Sequence, residues 1–143
     1  SSNSAPHPTS EEYVDALLAG DEAGARALAA AMPQGHPAYS GSKLALARWM
    51  RRNTRDYAAA GIRLNAIAPG YTQTAMTAAT ENDPATRDAI RAFLAATPVG
   101  RAGQPEDQAN AAMFLLSPEA GFICGSLLFV DGGYDAMTRP DAI

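Results

Sequence analysis

The sequence predicts an α/β fold built on a parallel sheet, and three observations carry that reading. Two short β-type runs, "IRLNAIAPG" and "SLLFVDGG", each stop at a turn-forming pair, Pro69-Gly70 and Gly132-Gly133. Helical patterns precede and separate them, and strands that alternate with helices pair in parallel through helical crossovers. A hydrophobic fraction of 47% and a charged fraction of 18% over 143 residues suit one domain with a real core.

The elements follow in order. Residues 1–8, "SSNSAPHP", are small and polar and read as a loop. A capping box of Thr9 with Glu12 then opens Ala- and Leu-rich sequence, with apolar residues at Val14, Leu17, Leu18, Ala25, Leu28 and Ala29. That is one helix, or two broken near Gly20, ended by "PQGHP". A second helical pattern covers about 38–60, where Leu46, Trp49, Met50, Asn53 and Tyr57 recur at intervals of three or four and Gly61 supplies the C-terminal cap. Ile62, Leu64, Ala66 and Ala68 alternate with other residues as in a short strand. Residues 71–83 read as a loose stretch. Pro84 is placed to begin a helix through "ATRDAIRAFLAA", with Ile90, Phe93 and Leu94 on its apolar side. After the loop "PVGRAGQ", Pro105 opens another helix through Leu116, and "SLLFVDGG" is a buried-type strand. No internal repeat or low-complexity linker interrupts this order.

Composition excludes several function classes. The net charge is −4, from 15 acidic residues against 11 Lys and Arg with no basic cluster. That argues against a nucleic-acid footprint or an anionic membrane surface, and suits a small neutral or anionic ligand. The single cysteine, Cys124, makes no internal disulfide, and the lone His7 and His36, in Pro-flanked loop sequence, make no metal site. No apolar run approaches a membrane span and no signal-peptide pattern opens the chain, so a cytoplasmic location is expected.

Chemistry concentrates in "YSGSK", residues 39–43. Residues i and i+4 share a helix face, so the Tyr39 phenol and the Lys43 ammonium point into one space. A phenol serves as a base at neutral pH only where a cation within a few Å favours its ionised form, and this spacing supplies one. Ser40 and Lys43 also spell S-x-x-K, but the S-D-N and K-T-G that accompany that acyl-enzyme motif are missing.

"YSGSK", "RLNAIAPGYTQT", "PVGRAGQPED" and "GSLLFVDGG" together resemble, in order and spacing, the C-terminal half of the short-chain dehydrogenase/reductase family. The match covers nearly the whole chain. The tail "DGGYDAMTRP" and the long segment before Tyr39 resemble the bacterial hydroxysteroid dehydrogenase/carbonyl reductase branch. The resemblance implies a Rossmann-like parallel sheet with flanking helices, of which this is the C-terminal portion. It also implies hydride transfer between a carbonyl or alcohol carbon and NAD or NADP. Tyr39 matches the family's catalytic acid/base and Lys43 its partner, which in the family also binds the nicotinamide ribose. Ser2, rather than Ser1, matches the catalytic serine, whose hydroxyl donates to the substrate oxygen. Pro69, Gly70, Thr72 and Thr74 match the loop that lies against the nicotinamide, with Thr72 standing where the family more often has Val or Ile. Asn65 and Asp131 match family positions that bond loops and turns.

Two departures shape the remaining expectations. No G-x-x-x-G-x-G or G-x-G-x-x-G follows any strand, so the family's N-terminal nucleotide-binding half is expected to lie outside these 143 residues. Ser2 and Tyr39 are 37 positions apart, more than most family members place between serine and tyrosine, so residues 9–33 read as a helical insertion. Such an insertion would obstruct the helix-mediated contact common in the family, and the branch resemblance favours a homodimer through another surface. The implied partner is a small-molecule carbonyl or alcohol, steroid-like or otherwise bulky. The competing reading is a non-catalytic fragment or an assembly subunit of such an enzyme.

Overall fold

The computed structural model describes residues 2, 4–33 and 35–141, apart from the side chains of 79–81. Ser10, not Thr9, caps the first helix, α1 (Glu11–Ala19): its hydroxyl accepts the Tyr13 amide. The expected capping box of Thr9 with Glu12 is therefore corrected by one residue. Thr9 has a tertiary role instead, donating to the Pro37 carbonyl at 2.7 Å and so tying the chain ahead of α1 to the next long helix. The break at Gly20 is as expected, since Gly20 is left-handed (φ 74°) and its amide reaches back to close α1. Asp21 then caps α2 (Glu22–Ala31) by accepting the Gly24 amide.

The long helix α3 (Gly35–Ala59) begins one turn ahead of expectation, with Pro37 in its first turn, where a missing amide costs nothing. α1 packs against both α2 and α3. Tyr13, Val14, Ala25, Ala45, Ala47 and Met50, all on these helices, are buried. A bidentate Arg48–Glu11 pair, with one arm at 2.9 Å, fastens α3 to the start of α1.

β1 (Ala66–Pro69) and β2 (Leu127–Val130) pair in parallel, with Ala66 opposite Leu127 and Pro69 opposite Val130. Parallel pairing of segments so far apart bears out the α/β reading. α6 (Pro105–Leu116) starts and stops at the expected residues and packs on both strands. Two side chains hold its far end to the sheet. The Arg63 guanidinium donates to the carbonyls of Leu115, Ser117 and Ile123, covering the electronegative end of α6. Asn65 donates to Ile123 and accepts the Ser126 amide, which fixes the entry into β2. Asp131 accepts the Gly133 and Asp135 amides and so caps α7 (Tyr134–Thr138), a short helix the sequence reading missed.

Two expectations for the middle of the chain are corrected. The stretch read as loose contains α4 (Ala75–Asn82), and the next helix, α5 (Arg87–Ala96), starts at Arg87 rather than Pro84. Thr74 and Thr77 cap α4 reciprocally, a pairing hidden because Thr77 stands where a capping box has Glu or Gln. Asp83 accepts the Ala85 amide and turns the chain before α5.

Candidate functional site

The residues around Tyr39 explain why small side chains separate it from Lys43. Ser40 and Gly41 are buried against the rest of the molecule, while Tyr39 is about half exposed. A Cβ on Gly41 would lie 2.5 Å from the Thr9 hydroxyl and 2.7 Å from the Tyr13 ring, so this glycine is what lets α1 sit against α3. The neighbouring hydroxyls are turned away: Ser42 donates to the Tyr39 carbonyl at 2.7 Å, and the fully buried Ser40 faces His36 Nδ1 at 3.5 Å. That disposition offers no nucleophile for the S-x-x-K reading. The Lys43 ammonium lies 5.2 Å from the Tyr39 ring centroid, a cation–π contact that holds the two groups together on one face. The His7 and His36 rings lie with centroids 5.9 Å apart and planes tilted by 54°, and among the described residues no cluster suited to a metal occurs.

Ser2 is buried in the opening turn. Its hydroxyl accepts the Ser4 amide at 3.2 Å and its carbonyl accepts the Ala5 amide. Ser1 lies outside the described residues. Among the described residues the hydrogen bonds of Ser2 stay within its own turn, while Tyr39 and Lys43 meet through the cation–π contact.

The loop after β1 is fixed from several sides. Gly70 meets Asp131 so closely that a Cβ would approach the Asp131 Cα to 2.6 Å, so its small size serves the β1–β2 ends. Backbone bonds between Gly103 and residues Tyr71 and Gln73 brace the loop against the segment leading into α6. Thr72 donates to the Gly70 carbonyl and accepts from Gln108, whose amide nitrogen also reaches the Val130 carbonyl. Thr74, an exposed residue, caps α4 with its hydroxyl. A cavity of about 440 Å³, lined by residues that include Tyr71, Phe93, Arg101, Gln108 and Asp131, opens at the carboxyl ends of both strands. Ligands of open α/β sheets bind at that end. Neither Tyr39 nor Lys43 lines it. Gln108, which sequence reasoning passed over, contributes a buried Oε1 with no partner among the described residues.

Arg101 and Asp107 close the mouth of α6. The guanidinium donates to both carboxylate oxygens at 2.7 and 3.1 Å, and the Gln104 amide adds a third bond. Arg101 foremost, and then the Gln104 amide, hold the Asp107 carboxyl down to about 2. A depressed folded-state value means the pair stabilises the fold above the ordinary carboxylate range and loses that effect as pH falls towards 2. The stability difference between wild type and Asp107→Asn is therefore expected to be largest near neutrality and to vanish on acidification. Denaturant melts of both proteins across that range check this; a pH-independent difference contradicts it.

Comparison with known proteins agrees with this anatomy. The family model described as enoyl-(acyl carrier protein) reductase matches residues 25–135. The chain is 42% identical over 127 residues to the 3-alpha-hydroxysteroid dehydrogenase/carbonyl reductase of Comamonas testosteroni, covering 87% of this chain and 49% of that protein. It superposes on the 3-alpha-hydroxysteroid dehydrogenase of Pseudomonas sp. B-0831, solved with NADH, with a TM-score of 0.88 and 45% identity, over 99% of this chain and 56% of the other. The Pseudomonas aeruginosa RhlG/NADP active-site complex matches with a TM-score of 0.62 and 34% identity, over 73% of this chain and 40% of the other. The chain thus spans about half the length of the Comamonas relative. With its parallel β1–β2 pair, its paired Tyr39 and Lys43 and a family match over most of its length, the chain belongs to the short-chain dehydrogenase/reductase family.

Proposed function

We propose that this chain forms the catalytic portion of an NAD- or NADP-dependent oxidoreductase that interconverts a secondary alcohol and a ketone. The observation that carries the reading is the Tyr39–Lys43 pair: a half-exposed phenol with an ammonium 5.2 Å from its ring, while neighbouring hydroxyls point elsewhere. This donor set fits the nicotinamide end of the cofactor. The bound cofactor supplies the hydride acceptor or donor. Tyr39 moves the proton to or from the substrate oxygen, and Lys43 holds positive charge beside it and donates to the ribose hydroxyls. Ser2 accepts from the Ser4 amide, which leaves its own proton for the substrate oxygen. Pro69, Gly70, Thr72 and Thr74, in the braced loop, would hold the nicotinamide end of the cofactor, with the Thr74 hydroxyl as the donor to it.

The likeness to two hydroxysteroid dehydrogenases supports a steroid-like or similarly bulky carbonyl as substrate. The Pseudomonas enzyme covers nearly all of this chain whereas the family model begins at residue 25, which supports residues 9–33 as an insertion. In this reading the α1–α2 hairpin covers a face of α3 and leaves another surface for a homodimer, an assembly that light scattering resolves. Among the described residues no helix is long and apolar enough to cross a membrane.

Lys43→Ala tests the assignment in a complete domain, with residues 1–143 joined to a nucleotide-binding half of the family. Loss of the ribose contact and of the charge at Tyr39 is expected to weaken cofactor binding about tenfold or more and to lower turnover at saturating cofactor as well. Fluorescence titration and steady-state rates check both; unchanged affinity and rate contradict the role.

A further inference from the structure

We propose that Thr77 is a positioning residue for the cofactor loop, an inference that rests on the oxidoreductase reading. Thr77 lies in the first turn of α4, yet its hydroxyl bonds backward to the loop. It accepts the Thr74 amide at 2.8 Å and donates to the Thr72 carbonyl at 2.9 Å, with the Thr74 carbonyl at 3.1 Å. A hydroxyl has one proton, so the shorter contact to Thr72 takes it. One side chain thereby bridges the main chain of the two threonines assigned to the cofactor and sets the distance between them.

The clamp also fixes the state of Thr74. The Thr74 hydroxyl accepts the Thr77 amide at 3.3 Å and lies 3.3 Å from the Thr77 hydroxyl. With the Thr77 proton committed to Thr72, the Thr74 hydroxyl is the donor in the contact between the two hydroxyls, and at 3.3 Å that is a long bond which a nearer acceptor can displace. An amide or phosphate oxygen of a dinucleotide is such an acceptor. The opposite side of the loop is held independently, by Gln108 on the Thr72 hydroxyl and by the backbone of Gly103. Removing the Thr77 hydroxyl therefore loosens the Thr72–Thr74 segment without freeing its ends. The effect belongs to cofactor binding, since Tyr39 sits on α3 and shares no hydrogen bond with this loop among the described residues.

The test uses the complete domain with Thr77→Val, which keeps the shape and removes the hydroxyl, and Thr77→Ser, which restores it. Thr77→Val is expected to raise the dissociation constant and KM for the nicotinamide cofactor about tenfold while kcat at saturating cofactor stays within about threefold. Thr77→Ser should return cofactor affinity to within about twofold of wild type. If the valine variant does not fold, Thr77→Ala replaces it with the same expectation. Unchanged cofactor affinity in the hydroxyl-free variant overturns the inference, as does a serine variant no better than valine or a loss confined to kcat. Tyr39→Phe, assayed alongside, separates the two levels. An inactive Tyr39→Phe with cofactor-insensitive Thr77→Val rejects the Thr77 role alone; an active Tyr39→Phe rejects the oxidoreductase assignment of Tyr39.

Discussion

Tyr39→Phe, in a complete domain carrying this segment, is expected to lower turnover by at least about a hundredfold while leaving cofactor affinity nearly unchanged. The substitution removes the proton-carrying hydroxyl and nothing else. The ring stays available to the Lys43 ammonium 5.2 Å away, and a residue already half exposed leaves no cavity behind. General acid–base catalysis by one positioned group is typically worth 10²–10⁴-fold, which sets the size of the loss. Steady-state kinetics with cofactor titration measure it, and a variant within tenfold of wild type contradicts the role.

Gly41→Val should be the most destabilising single change near the site. In an open helical position, replacing glycine by alanine gains about 1 kcal/mol of helix propensity, and valine gains less. At Gly41 that gain is outweighed, because the first added carbon would lie 2.7 Å from the Tyr13 ring, and Tyr13 is itself buried. Relief requires α1 to move off α3, disturbing the Thr9–Pro37 bond and the Arg48–Glu11 pair together. Overpacking of this kind costs about 1–3 kcal/mol, and valine, with two further methyl groups, belongs at the upper end. Gly35→Ala is the control: a Cβ there meets nothing within 4 Å, and at the first position of α3 rather than in its interior alanine should leave stability unchanged or raise it by up to about 1 kcal/mol. Thermal melts of the two variants decide between a packing glycine and an incidental one. Light scattering on Gly41→Val in the complete domain adds a reading of assembly: if the seated hairpin blocks a contact along α3, unseating it alters the mass, and an unaltered mass with a displaced hairpin argues against that block.

What the sequence made legible was local. Pro105 at the start of α6 and the break at Gly20 are chemical punctuation whose partners lie within a few residues, and both elements fall where expected. Tyr39 and Lys43 were legible for the same reason, since a single helical turn relates them. The misses were of two kinds. α4 was concealed by an unusual cap, Thr77 answering Thr74 in place of an acidic or amide residue, and Ser10 took the capping role expected of Thr9, which bonds the Pro37 carbonyl instead. The other features depend on contacts that no local pattern records. Arg63 reaches carbonyls more than fifty positions away, Gln108 joins β2 to the loop after β1, and Gly41 owes its necessity to Tyr13. Ser2 was singled out through family resemblance, and its hydrogen bonds explain its turn.

The central claim is that Tyr39 and Lys43 serve direct hydride transfer between a nicotinamide and a carbonyl carbon. The most direct measurement follows a single turnover of the complete domain with a bulky ketone and NADH or NADPH deuterated at the hydride-donating position. The account predicts deuterium on the new carbinol carbon with the wild-type protein and no labelled alcohol with Tyr39→Phe over the same interval. Alcohol formed without deuterium on that carbon, or labelled equally fast by Tyr39→Phe, contradicts it.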